Sequence, residues 1–405
     1  MSDNLSSTAL GAIVVGAGPA GLTAAIALAE GGIPTVLVGK KAAGSDNRTT
    51  ALLAGSVTAL EILAVWPLCS QHAAPLRTLR IVDDTGRLWR APEVKFTSDE
   101  IGLDAFGYNI ENRHLVAGLE QRASGLRALR IVDDEVLDVV HSAANVSVVL
   151  RNGESLSAPL LIGADGRRSL CRTAAGIATN ERQYRQAALT VCLRHSRPHH
   201  DTSTEFHTAS GPFTLVPLPD NRSSLVWVLS PADAEALGEL EDSELAYEIE
   251  RASHSILGKI ELEPGRGIFP LYVSTARRFA DRRIALVGEA AHVVPPIGAQ
   301  GLNLGLRDAA TIGELAVAAF RDGHDIGGDD VLAHYDRMRR ADVGSRTLAI
   351  DLLNRTLLSD FLPAQGARGL GLYLLDRIGP LRRAVMREGV SPRAAQPRLM
   401  RGEML

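Results

Sequence analysis

A glycine-rich turn near the start of the chain constrains the fold more than any other feature. The sequence GAGPAG at positions 16–21 follows an apolar run, Ala12 to Val15, and precedes a helical pattern from Leu22 to Glu30. In such a turn the first glycine permits the tight bend, the second lets a pyrophosphate approach, and the third lets the helix pack on the strand. A second strand pattern, Thr35 to Val38, completes a βαβ unit. The sequence therefore predicts a dinucleotide-binding α/β domain whose cofactor-binding residues include Gly16, Gly18 and Gly21.

The end of the second strand departs from this pattern. An acidic residue is expected there to bind the ribose hydroxyls, but the chain has Gly39 followed by Lys40 and Lys41. The two lysines either contact phosphate or belong to a solvated loop. The ribose must be held by another group.

Two further strands each end in a glycine turn. The run Leu160 to Ile162 leads into Gly163-Ala164-Asp165-Gly166, followed by Arg167, Arg168 and Arg172. Asp165 could bind ribose hydroxyls while an arginine contacts phosphate, or the segment is an Asp-Gly turn with solvated arginines. The run Ile284 to Val287 leads into Gly288-Glu289, His292 and a loop from Gly298 to Gly301, before a helix that begins near Asn303. A helix N-terminus of this kind can bind an anion, although an ordinary strand-to-helix connection fits as well.

Helices and strands are predicted between these turns. Asp46 to Leu52 opens a helix that runs to about Leu63, and Arg48 near its start either reaches a cofactor phosphate or flavin edge or pairs with Asp46. A second helix, Arg113 to Ala123, follows Asn112 as its N-cap. A hairpin is predicted from two strands around Asp84-Thr85-Gly86, namely Leu79 to Asp83 and Leu88 to Ala91.

Composition excludes several classes of partner. The net charge of −4 and the isoelectric point near 6.3 argue against nucleic acid as a partner. The three cysteines are widely spaced and form neither a metal pattern nor a disulfide framework, and the spacing of His199, His200 and His207 is too irregular for a metal site. We expect no metal, no transmembrane span and a reducing compartment.

The order and content of the three turns resemble the flavoprotein aromatic hydroxylases, the group A monooxygenases of the p-hydroxybenzoate hydroxylase superfamily. Further motifs look like the ubiquinone-biosynthesis hydroxylase branch, the UbiH, UbiF and Coq6 family, over nearly the whole chain. They are Asp46 to Leu52, Glu205-Phe206, Gly211-Pro212, Leu218, Val226-Trp227 and Pro296 to Asn303. The chain departs from the family at Glu289, where the family has aspartate, and at Ala299, where it has glycine. With Gly39, these departures make three expected cofactor contacts atypical.

The resemblance implies a Rossmann-like FAD-binding domain made of discontinuous segments, 1–78, 108–174 and 276–345. A β-sheet substrate domain, 79–107 and 175–275, is inserted, and 346–405 forms a basic C-terminal helical segment. The FAD-binding residues implied are Gly16, Gly18, Gly21, Arg48, Arg113, Asp165, Gly166, Gly288, Glu289, Gly298, Gly301, Leu302 and Asn303. Pro296 and Gln300 would line the active face of the flavin. His292 either lies near the flavin ring or caps the local turn.

Three functions follow from the resemblance as hypotheses. The first is an FAD-dependent hydroxylase that uses NAD(P)H and O2 on a polyprenylated phenol of ubiquinone biosynthesis. The second is a soluble hydroxylase of small aromatic acids on the same fold. The third is a non-catalytic, flavin-poor scaffold of a biosynthetic complex.

The C-terminal segment is basic and amphipathic. Positions 366–405 hold eight arginines against three acids, and Leu370, Leu374, Ile378, Leu381 and Val385 recur at helical spacing. Such a helix can lie on an anionic membrane, or it can pack on the protein's own body or a partner subunit. Pro380 is predicted to kink it. The first hypothesis favours a cytoplasmic protein that is peripheral to the inner face of the membrane.

Overall fold

The computed structural model describes residues 10–40, 48–86, 92–296, 298–358, 377–390 and 396–405 of the protein, without the side chains of 349–358 and 390. The strands up to the second glycine turn are β1 (Ala12–Val15), β2 (Thr35–Val38), β3 (Thr49–Leu53), β4 (Ala73–Pro75), β5 (Thr78–Asp83), β6 (Val94–Thr97), β7 (Gly107–Glu111), β8 (Leu129–Val132), β9 (Val136–His141), β10 (Val146–Leu150), β11 (Ser155–Ala158) and β12 (Leu160–Gly163). Those that follow are β13 (Thr179–His195), β14 (Thr202–His207), β15 (Pro212–Leu218), β16 (Arg222–Leu229), β17 (Ile260–Leu262), β18 (Gly267–Ala276), β19 (Ala280–Asp281), β20 (Ile284–Leu286) and β21 (His292–Val293).

The helices cover these strands. They are α1 (Pro19–Glu30), α2 (Ala54–Ile62), α3 (Trp66–Cys69), α4 (Asn112–Ser124), α5 (Leu170–Ala174), α6 (Pro231–Glu239), α7 (Asp242–Ala252), α8 (Gln300–Arg321), α9 (Asp329–Leu358) and α10 (Gly379–Val390). Short 3₁₀ turns lie at Ser70–His72, Ser98–Ile101, Gly288–Ala290 and Arg398–Arg401. No helix within the described residues combines the length and the apolar character needed to cross a bilayer.

A six-stranded sheet in the order β19-β20-β12-β1-β2-β8 brings the three glycine turns together. The strands are parallel except for β19. β1 and β12 are buried on both faces, as expected for a parallel sheet covered by helices. Because β20, β12 and β1 are parallel neighbours, the turns that follow them emerge side by side at one edge. This is the edge at which open α/β sheets bind ligands.

A larger sheet in the order β21-β18-β13-β16-β15-β14-β5-β6 supplies the second part of the fold, with β17 paired to β13. Along β13 the odd-numbered residues Leu189, Val191 and Leu193 belong to the core cluster that α6 and α7 complete. Successive side chains of a strand point to opposite faces, so the even-numbered residues face the glycine turns. The predicted architecture, a Rossmann-like domain with an inserted β-sheet and C-terminal helices, is confirmed. The domain limits remain predictions.

Several local predictions differ from the structure. The segment predicted to open a helix is strand β3 from Thr49, which pairs with β7, and the helix begins only at Ala54. Here a pairing across about sixty residues overrides the local pattern. Asn112 is the first residue of α4 rather than its N-cap, and its side-chain oxygen accepts a hydrogen bond from Thr50 instead. The hairpin partner of β5 is β6, whereas Leu88 to Ala91 lies outside the described residues.

The C-terminal segment packs on both parts of the protein. Helix α10 contacts the β5–β6 hairpin region through Arg382 and the buried Met386, and Leu399 and Met400 are buried in the core around the six-stranded sheet. Packing on the protein's own body was one of the predicted alternatives for this helix. Pro380 lies in the first turn of α10, where a proline is tolerated. The helical run is interrupted at Ile378, directly before α10. Leu370 and Leu374 lie outside the described residues.

Candidate active site

The first glycine turn is shaped by close packing at two of its glycines. A Cβ at Gly16 would lie 2.2 Å from the Ala164 oxygen, and one at Gly21 would lie 2.0 Å from the Gly16 oxygen. Gly16 also has a φ of 113°, a conformation that glycine adopts readily. A Cβ at Gly18, in contrast, would meet nothing within 4 Å. The middle glycine is therefore free of protein contacts at the position where a pyrophosphate would approach.

Gly39 is explained by packing against this turn. A Cβ there would lie 2.5 Å from the Ala17 nitrogen. The side chain of Lys40 forms an exposed ion pair with Glu135 at 3.1 Å. Lys40 thus lies at the surface, as the solvated-loop alternative predicts, and Lys41 is outside the described residues.

Arg172 joins the second turn to the third. Its guanidinium donates to the Ala290 carbonyl and to the Arg167 carbonyl, both at 2.8 Å, so it is held by backbone rather than offered to a phosphate. The Asp165 carboxylate accepts from Ser169 Oγ at 2.6 Å and from the Cys171 N–H at 3.0 Å. Asp165 therefore orders the start of α5. Gly166, which has a φ of 76°, completes the Asp-Gly turn.

The buried Asp308 of α8 anchors the third turn from the protein interior. The Asp308 carboxylate accepts from the Gly288 N–H at 2.9 Å and from His292 Nε2 at 2.6 Å. The His292 side chain is only 1% exposed. Its ring faces the protein interior, which differs from the predicted position beside a flavin ring. The neighbouring Glu289 is exposed and lines the open cavity.

A chain of ion pairs links this turn to the loop before α8. Arg339 of α9 donates to Asp308 Oδ1 and to Asp342, which also pairs with Arg346. Arg346 in turn donates to Gln300 Oε1 at 2.9 Å. Burial disfavours the ionised form of Asp342, but Arg339 and Arg307 outweigh this effect and lower its pKa to about 2. The network fixes Gln300 relative to Gly288 through α9.

The loop residues predicted to bind the cofactor occupy varied environments. Both amide protons of Asn303 are taken by backbone carbonyls, those of Ala51 and Ala299, and its oxygen accepts from the Leu53 N–H. Asn303 therefore positions β3 against the loop. Gly298 and Gly301 are exposed, and Leu302 packs against the main core.

A cavity of about 590 Å³ lies between the large sheet and residues at the second and third turns, Arg167 and Glu289. Its wall includes Arg48, Glu289 and Pro296 from the predicted site residues, together with Arg167, whose guanidinium lies 4.3 Å from the ring centre of Tyr272. Arg113, also a predicted site residue, does not line this cavity. It pairs with Glu111 at 2.7 Å and lines a second, charged cavity, and Cys192 contributes to both cavity walls.

Comparison with known proteins agrees with this geometry. Residues 10–348 match the family model described as FAD binding domain. The chain is 34% identical over 400 residues to the ubiquinone hydroxylase UbiL of Rhodospirillum rubrum, covering 96% of this chain and 92% of that protein. The chain belongs to the FAD-binding monooxygenase family, in its ubiquinone hydroxylase branch. It is also 30% identical to the 3-demethoxyubiquinol 3-hydroxylase of Escherichia coli, with 92% and 96% of the two chains covered.

Two solved structures share the fold. The p-nitrophenol 4-monooxygenase PnpA from Pseudomonas putida has a TM-score of 0.78 at 19% identity, covering 96% of this chain and 99% of that one. A single-residue variant of HpxO from Klebsiella pneumoniae, solved in complex with FAD, has a TM-score of 0.73 at 21% identity, with 94% and 98% covered. At these identities the likeness shows the fold alone.

The residues of this monooxygenase fit its cofactor, FAD. Neither α1 nor α8 has a side-chain cap or an acidic residue in its first turn, so the N–H groups at both helix starts are available to anionic groups. Gly18 leaves room for a pyrophosphate, and the exposed Glu289 side chain at the cavity wall is long enough to accept from a hydroxyl group. When bound, FAD supplies the redox chemistry, while the protein positions the cofactor and shields it from water.

Sequence reasoning missed the anchor of the third turn. Asp308, Arg339 and Asp342 carry the network beneath it, but they lie on two helices and meet only in the folded chain. The sequence did contain one indication of this network. Asp308 and Arg307 interrupt the otherwise apolar and small-residue start of α8, and a buried charge of this kind requires a partner.

Proposed function

We propose that this monooxygenase hydroxylates the ring of a polyprenylated phenol in ubiquinone biosynthesis, with O2 as co-substrate and NAD(P)H as electron donor. The observation that carries this proposal is that three glycine turns emerge at one sheet edge, and that residues at two of them, Arg167 and Glu289, line a cavity walled by the large sheet. Relatives named as ubiquinone hydroxylase and 3-demethoxyubiquinol 3-hydroxylase, matched over more than nine-tenths of this chain, support the substrate class.

The cavity wall is consistent with a largely apolar aromatic ligand. Side chains of Val226, Phe269, Leu271, Val293 and Pro295 contribute to it. The cations Arg48 and Arg167 also line it, and they are the feature that would suit the alternative substrate class, a small aromatic acid. A direct comparison of the two substrate classes decides between them.

The test of the proposal uses the purified protein with FAD. We expect flavin absorbance bands, and NADH or NADPH oxidation coupled to O2 uptake that a 2-polyprenylphenol stimulates. The product should have the mass of the substrate plus one oxygen atom. If a small aromatic acid is hydroxylated instead, the substrate class is wrong. If FAD neither co-purifies nor binds when added, the protein acts as a scaffold rather than an enzyme.

We further propose peripheral contact of α10 with an anionic membrane, from which a polyprenylated substrate would be taken. Ile378, Leu381 and Val385 are spaced along one face at or beside α10 and are each 42% to 47% exposed. Arg383 and Arg387 lie on the same helix and are exposed. Co-sedimentation with vesicles of phosphatidylglycerol and phosphatidylethanolamine should fall in a Leu381→Glu variant. Unchanged sedimentation, or no binding by the unmodified protein, would refute membrane contact through this helix.

A further inference from the structure

The wall of the main cavity changes character from one end to the other. Cavity-facing residues along β13 are Ala188, Thr190 and Cys192. Ala188 pairs with Phe269 of β18 at one end, whereas Cys192 pairs with Ser224 of β16 at the other. The cavity therefore has an apolar end near Phe269 and a polar end near Ser224.

Ser224 receives two hydrogen bonds at the polar end. Asn109 Nδ2 donates to Ser224 Oγ at 3.1 Å and to the Pro217 carbonyl at 2.9 Å. Because a carbonyl only accepts, this second bond fixes the amide nitrogen on the side of Ser224. Thr49 Oγ1 donates to the same Ser224 oxygen at 2.9 Å.

These two bonds leave the hydroxyl proton of Ser224 available to a ligand. A serine hydroxyl has one proton and two acceptor positions, and both acceptor positions are used by Asn109 and Thr49. Within the part of the chain that the structure describes, Ser224 donates no hydrogen bond. Ser224 is only 4% exposed yet lines the cavity. A buried donor without an acceptor is costly, so an acceptor atom of a ligand in the cavity would be favoured there.

We propose that Ser224 donates this proton to the phenolic oxygen of the substrate, and that the apolar substituent of the ring lies toward Phe269. The inference rests on the proposed function and adds the orientation of the substrate and a residue that sets it. The adjacent Cys192 does not oppose this arrangement. Burial, with the nearby carboxylates of Glu111 and Glu263, raises the pKa of its thiol to about 11, so no thiolate repels the substrate oxygen at neutral pH.

The apolar end is suited to a substituent that leaves the cavity. The Phe269 ring lies over Gly267, where a Cβ would be 2.8 Å from a ring carbon. Phe269 lines the cavity and is 41% exposed, so its apolar ring forms part of the rim of the cavity at this end. An isoprenoid chain that passes over Phe269 would cover surface that water otherwise contacts.

A binding experiment with two ligands tests the assignment on the FAD-loaded protein. The ligands are 2-prenylphenol with a single isoprene unit, and prenylbenzene, which lacks the phenolic oxygen. In Ser224→Ala, calorimetry should show phenol affinity reduced on the order of three- to tenfold, the effect of one lost neutral hydrogen bond. Affinity for prenylbenzene should be unchanged. Ser224→Cys, which keeps the bulk of the side chain but is a weak donor, should show the same loss of preference.

Ser223→Ala is the matched control. Ser223 is the next residue on β16, is similarly buried, and forms its hydrogen bond with His195 Nε2 on the opposite face of the sheet. It should keep the phenol preference of the unmodified protein. An unchanged preference for phenol in both Ser224 variants would overturn the assignment while leaving the proposed function intact. If the unmodified protein binds no phenol, both the assignment and the proposed substrate class are overturned.

Discussion

His292 Nε2 lies 2.6 Å from the Asp308 carboxylate, and both side chains are enclosed by protein. Burial disfavours the ionised form of Asp308, but its interactions with His292, Arg339 and the Gly288 N–H hold its pKa below the ordinary value. The ionised carboxylate thus holds three groups at once. It anchors the glycine corner whose next residue, Glu289, faces the cavity.

Asp308→Asn should destabilise the fold strongly. The amide removes the negative charge opposite Arg339 and turns an acceptor for the Gly288 N–H into a potential donor. Removing one partner of a buried ion pair lowers the free energy of unfolding by about 3–5 kcal/mol, and a urea denaturation curve would measure this loss. Asp281→Asn is the matched control, because Asp281 pairs with Arg278 at the exposed surface, where such pairs contribute about 1 kcal/mol or less. Equal losses in the two variants would contradict the anchoring role of Asp308.

Ala299→Gly should stabilise the protein. Ala299 is the residue before α8 and has a φ of 56°, in the left-handed region. An alanine there costs roughly 1–2 kcal/mol relative to the right-handed conformation, and glycine avoids most of this cost. Some of the gain is offset by the greater freedom of glycine in the unfolded chain. We expect a net gain of about 1 kcal/mol in the free energy of unfolding, whereas Ala143→Gly, in another loop, should give none. A loss at position 299 would show that the strain is compensated by packing.

Sequence patterns predicted the parts of the site that are local. Each glycine turn follows its own strand within a few residues, so its position could be predicted from spacing, and the sheet order then places the three side by side. Strand β3 was mistaken for a helix because its partner β7 is about sixty residues away. The Ser224–Thr49 contact spans 175 residues, and no local pattern marks it. Contacts between segments that are distant in the sequence can be identified only from the folded structure.

Docking of α10 should depend on pH through Glu100. The hydrogen bond from Arg382 is the largest influence on this carboxyl; it outweighs the opposing effect of burial and lowers the pKa to about 2. A carboxyl whose pKa is lower in the folded state than the ordinary value near 4.3 stabilises the docked form above pH 4.3, and this contribution disappears as pH falls toward 2. The protection of the α10 amides against hydrogen exchange, measured relative to the intrinsic rate at each pH, should therefore fall over that interval.

Two variants distinguish the effect of the Glu100–Arg382 ion pair from other effects of low pH. Glu100→Gln should make α10 exchange faster at pH 7 and remove most of the pH dependence of its protection below pH 4.3. Arg383→Ala provides the control, since Arg383 is adjacent to Arg382 but exposed on another side of the helix. Its exchange profile should match that of the unmodified protein. The same pH profile in Glu100→Gln would mean that another group controls docking.

Gly18→Val should separate cofactor binding from folding. Gly18 has a φ of −74° and a ψ of 172°, an extended conformation open to any residue, and a Cβ there meets no atom within 4 Å. The protein without FAD should accommodate valine with little change in melting temperature, but the branched side chain would occupy the approach of the pyrophosphate. We expect FAD affinity to fall at least a hundredfold in a titration of flavin fluorescence.

Substitutions at two other glycines serve as controls for the Gly18→Val variant. Gly21→Ala should impair folding itself, because its Cβ would lie 2.0 Å from the Gly16 oxygen. Gly344→Val should affect neither folding nor FAD affinity, since Gly344 lies on α9 with no atom near its Cβ position. A Gly18→Val protein that folds and retains stoichiometric FAD would exclude the turn at 16–21 as the pyrophosphate site. The helix start of α8, which is also uncapped, would then have to hold the cofactor phosphates.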